Sequence, residues 1–132
     1  MTDTPRPAQQ MHHVLVVDDD FQLAEELAAM LTFENCTVEI STNGMEALDR
    51  LQGQVFDAIV CDLMMPRMDG ESLYRETADR YPYLAEKFVF ITGQAARQHG
   101  SGNFVARTGS PLLEKPFTID QLRNALQEVF HD

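Results

Sequence analysis

The sequence predicts an α/β fold built around a parallel sheet, on two observations. Runs of consecutive apolar residues, such as residues 14–17 and 88–91, are typical of strands covered on both faces. Between these runs, apolar residues recur every three or four positions, as they do in amphipathic helices. With 132 residues, 44% of them hydrophobic, the chain has the size and the apolar content of one domain with one core.

Five strands are predicted in chain order. They cover residues 14–17, 37–40, 56–61, 88–91 and 112–114. The second strand is closed by Asn43-Gly44, a dipeptide that marks turns. Residues 1–11 are polar and contain proline, so we expect a disordered N-terminal tail followed by one domain over residues 12–132.

Helices are predicted between these strands and after the last one. The apolar stripes of the first three helices are Phe21, Ala24, Leu27, Ala28 and Leu31; Met45, Leu48 and Leu51; and Leu73, Thr77, Ala78 and Tyr81. A fourth helix is predicted to be short, over residues 103–107, because glycines at 100 and 102 break a longer one. Thr118 and Gln121 have the spacing of a capping box, which begins the fifth helix.

Five successive βα units predict a parallel sheet with helices on both faces and right-handed crossovers. Five strands suit the flavodoxin-like, doubly wound order 2-1-3-4-5. In such sheets, ligands bind at the carboxyl ends of the strands.

The formal net charge of −11 argues against nucleic acid or an anionic membrane as a direct partner, because both require a basic surface. No apolar stretch has the length of a membrane span, and the first residues lack the pattern of a signal peptide. Cys36 and Cys61 have no metal-binding spacing. A cytoplasmic location is expected, with both thiols reduced.

Acidic residues follow two of the predicted strands. Asp18 and Asp19 come directly after the first strand, and Asp62 ends the third. If these strands are parallel neighbours, the three carboxylates converge at one sheet edge and repel one another. A hard divalent cation relieves this repulsion, and Mg²⁺ is the usual choice where phosphate is handled.

A hydroxyl and an ammonium group follow the last two strands at the same edge, at Thr92 and Lys115. A carboxylate nucleophile, a metal held by carboxylates, a hydroxyl and an ammonium group make a site for phosphoryl transfer. Asp20 and Asp69, in contrast, are expected to be structural residues at helix N-termini. His12 and His13 are expected in a flexible segment before the first strand, and Cys61 in the core.

Four motifs occur in register with these strand ends: Val-Val-Asp-Asp, Asp-Leu-Met-Met-Pro-x-Met-Asp-Gly, Ile-Thr-Gly and Glu-Lys-Pro-Phe. Together they resemble the receiver domain of two-component response regulators, over residues 14–129. The segment at residues 108–117 is most similar to receivers attached to hybrid sensor histidine kinases. The resemblance implies a signalling switch, which catalyses only its own phosphorylation and dephosphorylation.

The resemblance implies that Asp62 is the phosphoacceptor, which takes a phosphoryl group from the phosphohistidine of a histidine kinase or a histidine phosphotransfer protein. It also implies that Mg²⁺ is the cofactor. Asp19, Asp62 and the backbone carbonyl of Met64 would bind this ion directly, and Asp18 would bind it through a water molecule.

The resemblance further implies that Thr92 and Lys115 contact the phosphoryl group and that Gly93 leaves room for it. The Lys115–Pro116 bond is a candidate cis peptide. Leu112 occupies the position where the family often has an aromatic switch residue, so a switch of that kind is not expected. We expect a monomer that could dimerise on phosphorylation. Since no further domain follows the last helix, transcription-factor activity is not expected of this chain.

Three rival functions can be weighed against this one. Asp18-x-Asp20 resembles the opening of phosphatases with an aspartate nucleophile, but Gln22 stands where threonine or valine is needed. An FMN site needs a Ser/Thr/Gly-rich loop after the first strand, where three aspartates would repel phosphate. The alternative that stays open is a degenerate receiver that docks a partner without being phosphorylated.

Overall fold

The computed structural model describes residues 11–93 and 101–130, and for residues 101–103 it describes the backbone alone. Five parallel strands form one sheet: β1 (His12–Val17), β2 (Cys36–Ser41), β3 (Ala58–Asp62), β4 (Phe88–Thr92) and β5 (Leu112–Glu114). Their order is β2-β1-β3-β4-β5, which confirms the predicted flavodoxin-like order. All but the last residue of the predicted tail lie outside the described residues.

Five α-helices lie within the described ranges: α1 (Phe21–Phe33), α2 (Gly44–Gly53), α3 (Gly70–Arg80), α4 (Ser101–Thr108) and α5 (Ile119–Val129). A 3₁₀ helix, Pro82–Lys87, follows α3 and was not predicted. Pro82 does end α3, but its fixed φ also suits the first turn of a new helical segment. None of the helices in these ranges has the length and apolar character needed to span a bilayer.

Side-chain caps fix where four of the helices begin. The caps are Asp20 for α1, Asn43 for α2, Asp69 for α3 and Thr118 for α5. Each side chain accepts a hydrogen bond from a backbone N–H of the first turn, which otherwise has no partner within the helix. The structural roles of Asp20 and Asp69 and the capping box of Thr118 and Gln121 are therefore confirmed.

The hydrophobic core has two halves because alternate residues of a strand point to opposite faces of the sheet. On one face, α2, α3 and α4 cover strand residues that include Leu15, Ile59 and Phe90. On the other face, α1 and α5 cover strand residues that include Val16 and Val60. The helices thus lie on both faces of the sheet, as the sequence predicts.

Two large residues of the predicted apolar stripes are exposed to solvent. Phe21 and Met45 are 52% and 61% exposed. Each lies in the first turn of its helix. The helical spacing of apolar residues includes this turn, but these two side chains do not pack against the sheet. On α2 the buried residues are instead Ala47, Leu48 and Leu51, together with Gly44.

The placement predicted for His12 and His13 is wrong, because both residues belong to β1. Their rings stack on aromatic rings, His12 on Phe130 and His13 on Phe56. A strand residue that packs in this way is ordered by the sheet and by its ring contacts, although the sequence around it is polar.

Both cysteines are buried free thiols, Cys36 in β2 and Cys61 in β3. Burial raises the pKa of Cys36 to about 11 and holds the pKa of Cys61 well above its ordinary value. Cys61 packs in the core as predicted.

Candidate functional site

The sheet places four polar residues at its carboxyl edge. Asp62 and Thr92 are the last residues of β3 and β4, while Asp18 and Lys115 directly follow β1 and β5. Backbone hydrogen bonds hold the two flanking residues in line with the strands: the Asp18 N–H donates to the Ser41 carbonyl at 3.1 Å, and the Lys115 N–H to the Thr92 carbonyl at 2.8 Å. The positions of these side chains therefore follow from the parallel strand order.

Three carboxylates converge at this edge. Asp18, Asp19 and Asp62 each offer an oxygen atom, and these three atoms lie within 4.8 Å of one another. Asp18 is 1% exposed and Asp62 is 6% exposed, whereas the Asp19 side chain faces solvent. The structure thus brings together the acidic residues that the sequence placed after two separate strands.

Lys115 supplies positive charge to this cluster, and no other cation pairs with it among the described residues. Its Nζ lies 3.3 Å from Asp62 Oδ2 and 3.9 Å from Asp18 Oδ2. One ammonium group facing three ionised carboxylates leaves two negative charges unbalanced. The electrostatics of the cluster therefore favour either a proton on a carboxylate or a bound cation.

Asp18 is perturbed by its burial in this cluster. Burial raises the pKa of Asp18 to about 6, and the negative charges of Asp62 and Asp19 act in the same direction. A hydrogen bond from the Asp20 N–H to Asp18 Oδ1, at 2.9 Å, and the charge of Lys115 oppose the rise without cancelling it. Metal-free Asp18 therefore keeps its proton at weakly acidic pH.

The donor set fits a hard divalent cation. Asp18 Oδ2 is buried and has no hydrogen-bond partner among the described residues, so one carboxylate oxygen is left unsatisfied beside the cluster. All of the converging donors are oxygen atoms, which Mg²⁺ prefers. A cation at this position would satisfy the oxygen and offset the excess negative charge.

The loop after β3 fixes the orientation of Asp62. The Met64 N–H donates to Asp62 Oδ1 at 2.9 Å, while Lys115 lies beside Oδ2. At the far end of the loop, the Gly70 N–H donates to the Leu63 carbonyl at 3.0 Å. A Cβ at residue 70 would lie 2.8 Å from the Asp62 carbonyl oxygen, so only glycine allows α3 to begin this close to β3.

Sequence reasoning gave Gly70 no role of its own. The signal that could have identified it is the Asp69-Gly70 pair before the third apolar stripe, since such pairs mark turns.

The other predicted site residues have no hydrogen bond to the three carboxylates among the described residues. The Thr92 hydroxyl donates to the Gly93 carbonyl at 3.0 Å and is not seen bonded to the carboxylates in the described part of the chain. A Cβ at Gly93 would meet no described atom within 4 Å. The Lys115–Pro116 peptide bond is cis. Leu112, on β5, is 40% exposed.

Comparison with known proteins agrees with this geometry. Residues 14–127 match the family model of the response regulator receiver domain. The chain belongs to this family. Receivers of similar sequence include those of the response regulator MprA from Mycobacterium sp. (strain KMS) and from Mycobacterium tuberculosis (strain CDC 1551 / Oshkosh). Each is 35% identical over 112 residues, which is 83% of this receiver and 46% of MprA. The receiver therefore spans about half the length of these curated relatives.

Solved structures show the same fold. A putative response regulator from Chloroflexus aurantiacus is 27% identical, with a TM-score of 0.79 over 92% of this receiver and 98% of that chain. The receiver domain protein from Clostridium thermocellum is 20% identical, with a TM-score of 0.80 over 91% and 94% of the two chains. Response regulator TrrA from Thermotoga maritima, solved in complex with Mg(2+)-BeF, is 24% identical, with a TM-score of 0.78 over 90% and 99%.

Proposed function

We propose that this receiver is a cytoplasmic signalling switch whose Asp62 accepts a phosphoryl group from the phosphohistidine of a histidine kinase or a histidine phosphotransfer protein. The observation that carries the proposal is the nearly buried Asp62 carboxylate, which lies among Asp18, Asp19 and Lys115 at one sheet edge. Family membership supports the same role.

Both carboxylate oxygens of Asp62 have fixed partners, which orients the side chain for nucleophilic attack. One oxygen accepts from the Met64 N–H and the other lies beside Lys115, so the plane of the carboxylate is fixed before a donor arrives. In the reaction, a carboxylate oxygen of Asp62 forms a bond to phosphorus. The bond between phosphorus and the donor's imidazole nitrogen breaks, and its electron pair stays on the imidazole.

The cluster would hold Mg²⁺ through Asp19, Asp62 and the Met64 carbonyl, with Asp18 acting through a water molecule. When bound, this ion supplies positive charge that offsets the charge of the transferring phosphoryl oxygens. The unsatisfied Asp18 Oδ2 and the two unbalanced negative charges support this assignment.

Lys115, Thr92 and Gly93 serve the phosphoryl group itself. The Lys115 ammonium group exchanges part of its contact with Asp62 for one with a phosphoryl oxygen, which keeps the charge paired. The Thr92 hydroxyl can leave the Gly93 carbonyl and donate to another phosphoryl oxygen. The absence of a side chain at residue 93 keeps this space open. These contacts form as the phosphoryl group is transferred and remain afterwards, so they distinguish the phosphorylated state from the unphosphorylated one.

Intact-mass spectrometry tests the proposal. The protein is incubated with acetyl phosphate and Mg²⁺, or with a phosphorylated histidine kinase if the small donor fails. We expect one phosphoryl adduct that requires both Mg²⁺ and Asp62 and is absent from Asp62→Asn. Asp69→Asn is the matched control, because Asp69 lies at the end of the same loop, where it caps α3, and asparagine is also a good cap.

An adduct that persists in Asp62→Asn would overturn the assignment of the phosphoacceptor. If neither acetyl phosphate nor a phosphorylated histidine kinase modifies the protein, the supported function would be docking of a partner by a degenerate, unphosphorylated receiver. Sedimentation velocity on the phosphorylated and unphosphorylated forms tests the accompanying expectation of a monomer that could dimerise on phosphorylation.

A further inference from the structure

The loop between β3 and α3, residues 63–69, contains a backbone turn that is unfavourable on its own. Arg67 has a φ of 70°, in the left-handed region that residues other than glycine rarely adopt. The Met68 N–H donates to the Pro66 carbonyl at 2.8 Å, which closes a three-residue turn around Arg67. Such conformations persist only where surrounding structure holds them in place.

The side chain that follows this turn packs against α2. A Cβ at Gly44 would lie 2.6 Å from Met68 Sδ and 2.8 Å from Met68 Cγ, which is far inside ordinary contact distance. Met68 is partly buried and packs on the half of the core that α2, α3 and α4 cover. The first residue of α2 therefore leaves a space that Met68 fills.

Space, and not backbone conformation, accounts for glycine at this position. Gly44 is the first residue of α2, after the Asn43 cap, and it has no positive φ. An alanine would suit the backbone and the helix, since alanine is the better helix former. Gly53, the last residue of the same helix, lacks this constraint, because a Cβ added there would have no described atom within 4 Å.

We infer that Gly44 and Met68 are positioning residues for the metal site, which they serve by holding the β3–α3 loop in its strained conformation. This inference rests on the proposed function, in which the Met64 carbonyl and Asp62 bind Mg²⁺. The loop begins after Asp62, and the Met64 N–H is bonded to the Asp62 carboxylate. Displacing Met68 therefore releases the segment that carries the Met64 carbonyl and that orients Asp62 through the Met64 N–H.

Two measurements on the full chain test the inference. In metal-free protein, hydrogen exchange is measured for the Met64 amide, which donates to Asp62, and for the Gly70 amide, which donates to Leu63. Mg²⁺ affinity is then measured by titration. Gly44→Ala and Met68→Ala should each speed exchange at both amides and weaken Mg²⁺ binding by about tenfold, as changes around metal ligands commonly do.

The chain offers a matched control for each variant. Gly53→Ala makes the same substitution on α2 without a nearby side chain, and Met45→Ala removes a methionine that is 61% exposed on that helix. Both should leave exchange and affinity as they are in the wild type. If Gly44→Ala fails to fold, Met68→Ala still tests the inference. Wild-type Mg²⁺ affinity and wild-type amide exchange in Met68→Ala would overturn it.

The double variant tests whether the contact between Gly44 and Met68 is the cause of the weaker Mg²⁺ binding. If Gly44→Ala acts only by displacing Met68, the affinity of Gly44→Ala/Met68→Ala should equal that of Met68→Ala within about twofold. Losses that multiply would overturn the inference. Wild-type protein that binds no Mg²⁺ would contradict the proposed metal site, whereas the exchange rates of the metal-free variants would still decide whether Gly44 and Met68 hold the loop.

Discussion

Lys115 Nζ lies 3.3 Å from Asp62 Oδ2, so the ammonium group that follows β5 is paired with the carboxylate that ends β3. The two residues are 53 positions apart in the chain and meet because their strands end at the same sheet edge. This pair places a positive charge directly beside the proposed nucleophile.

Replacing Lys115 with methionine should slow phosphorylation of Asp62 by about a hundredfold, because the charge that develops on the phosphoryl oxygens loses one of its donors. The rate is measured by intact-mass spectrometry with acetyl phosphate and Mg²⁺. Lys87→Met is the control, since Lys87 donates to the Val129 carbonyl away from the site. Equal rates in the two variants would show that Lys115 has no role in the transfer.

The raised pKa of Asp18 makes the metal-free protein less stable as pH rises. Because the folded-state pKa is above that of the unfolded chain, the group's stabilising contribution is complete below pH 3.8 and is lost as pH rises through about 6. The free energy of unfolding should fall by an amount on the order of 3 kcal/mol across this interval from Asp18 alone. Urea unfolding in EDTA between pH 5 and pH 8 measures the upper part of this decrease in the free energy of unfolding. Each pKa unit corresponds to about 1.36 kcal/mol.

Mg²⁺ should reverse this trend. Its stabilising effect grows as Asp18 loses its proton, and reaches about 2.7 kcal/mol at a concentration one hundred times the dissociation constant. In Asp18→Asn, the metal-free protein should lose the part of the pH dependence that comes from residue 18, and added Mg²⁺ should stabilise it far less. A variant that retains the full pH dependence would place its origin at another group.

Arg67→Gly should stabilise the protein by about 1 kcal/mol in urea unfolding, because glycine adopts a positive φ without strain. Asn35→Gly is the comparison, since Asn35 has a similar φ of 65° but asparagine tolerates this region better. Equal gains in the two variants would argue that the turn at Arg67 carries no particular strain.

Phe104→Ala should lower the free energy of unfolding by about 3–5 kcal/mol, because it leaves a large cavity in the core. Phe104 is 5% exposed, and its ring lies 5.4 Å from that of Tyr74 and 5.6 Å from that of Phe90. Phe33, which is 90% exposed, supplies the control, and Phe33→Ala should change stability by less than about 0.5 kcal/mol. A small effect at Phe104 would indicate that α4 is held mainly by other contacts.

The parts of the site that depend on strand ends could be predicted from the sequence. Once the strands are taken as parallel, Asp18, Asp62 and Lys115 must reach the same edge, and they do. The strand order was also predictable, because five βα units leave few topologies open. Local patterns were sufficient for these features because each one follows from the position of a residue in its strand.

The parts that depend on contacts between distant elements could not be predicted. Helical spacing marks Phe21 and Met45 as apolar positions but carries no information on where the sheet stops covering a helix. The approach of Met68 to Gly44 joins a loop to a helix 24 positions earlier in the chain, and no local pattern encodes it. His13 appeared polar and mobile, yet it lies in a strand and stacks on Phe56.

The buried cysteines make the native protein resistant to alkylation, since reaction requires an exposed thiolate. Labelling with iodoacetamide therefore reports on opening of the structure, and mass spectrometry of the peptides separates the two positions. Cys36 lies in the edge strand β2, whereas Cys61 directly precedes the proposed phosphoacceptor in β3. Alkylation of Cys36 thus reports on fraying of the sheet edge, and alkylation of Cys61 reports on exposure of the sheet centre. A phosphoryl group on Asp62 should change the alkylation rate of Cys61 more than that of Cys36.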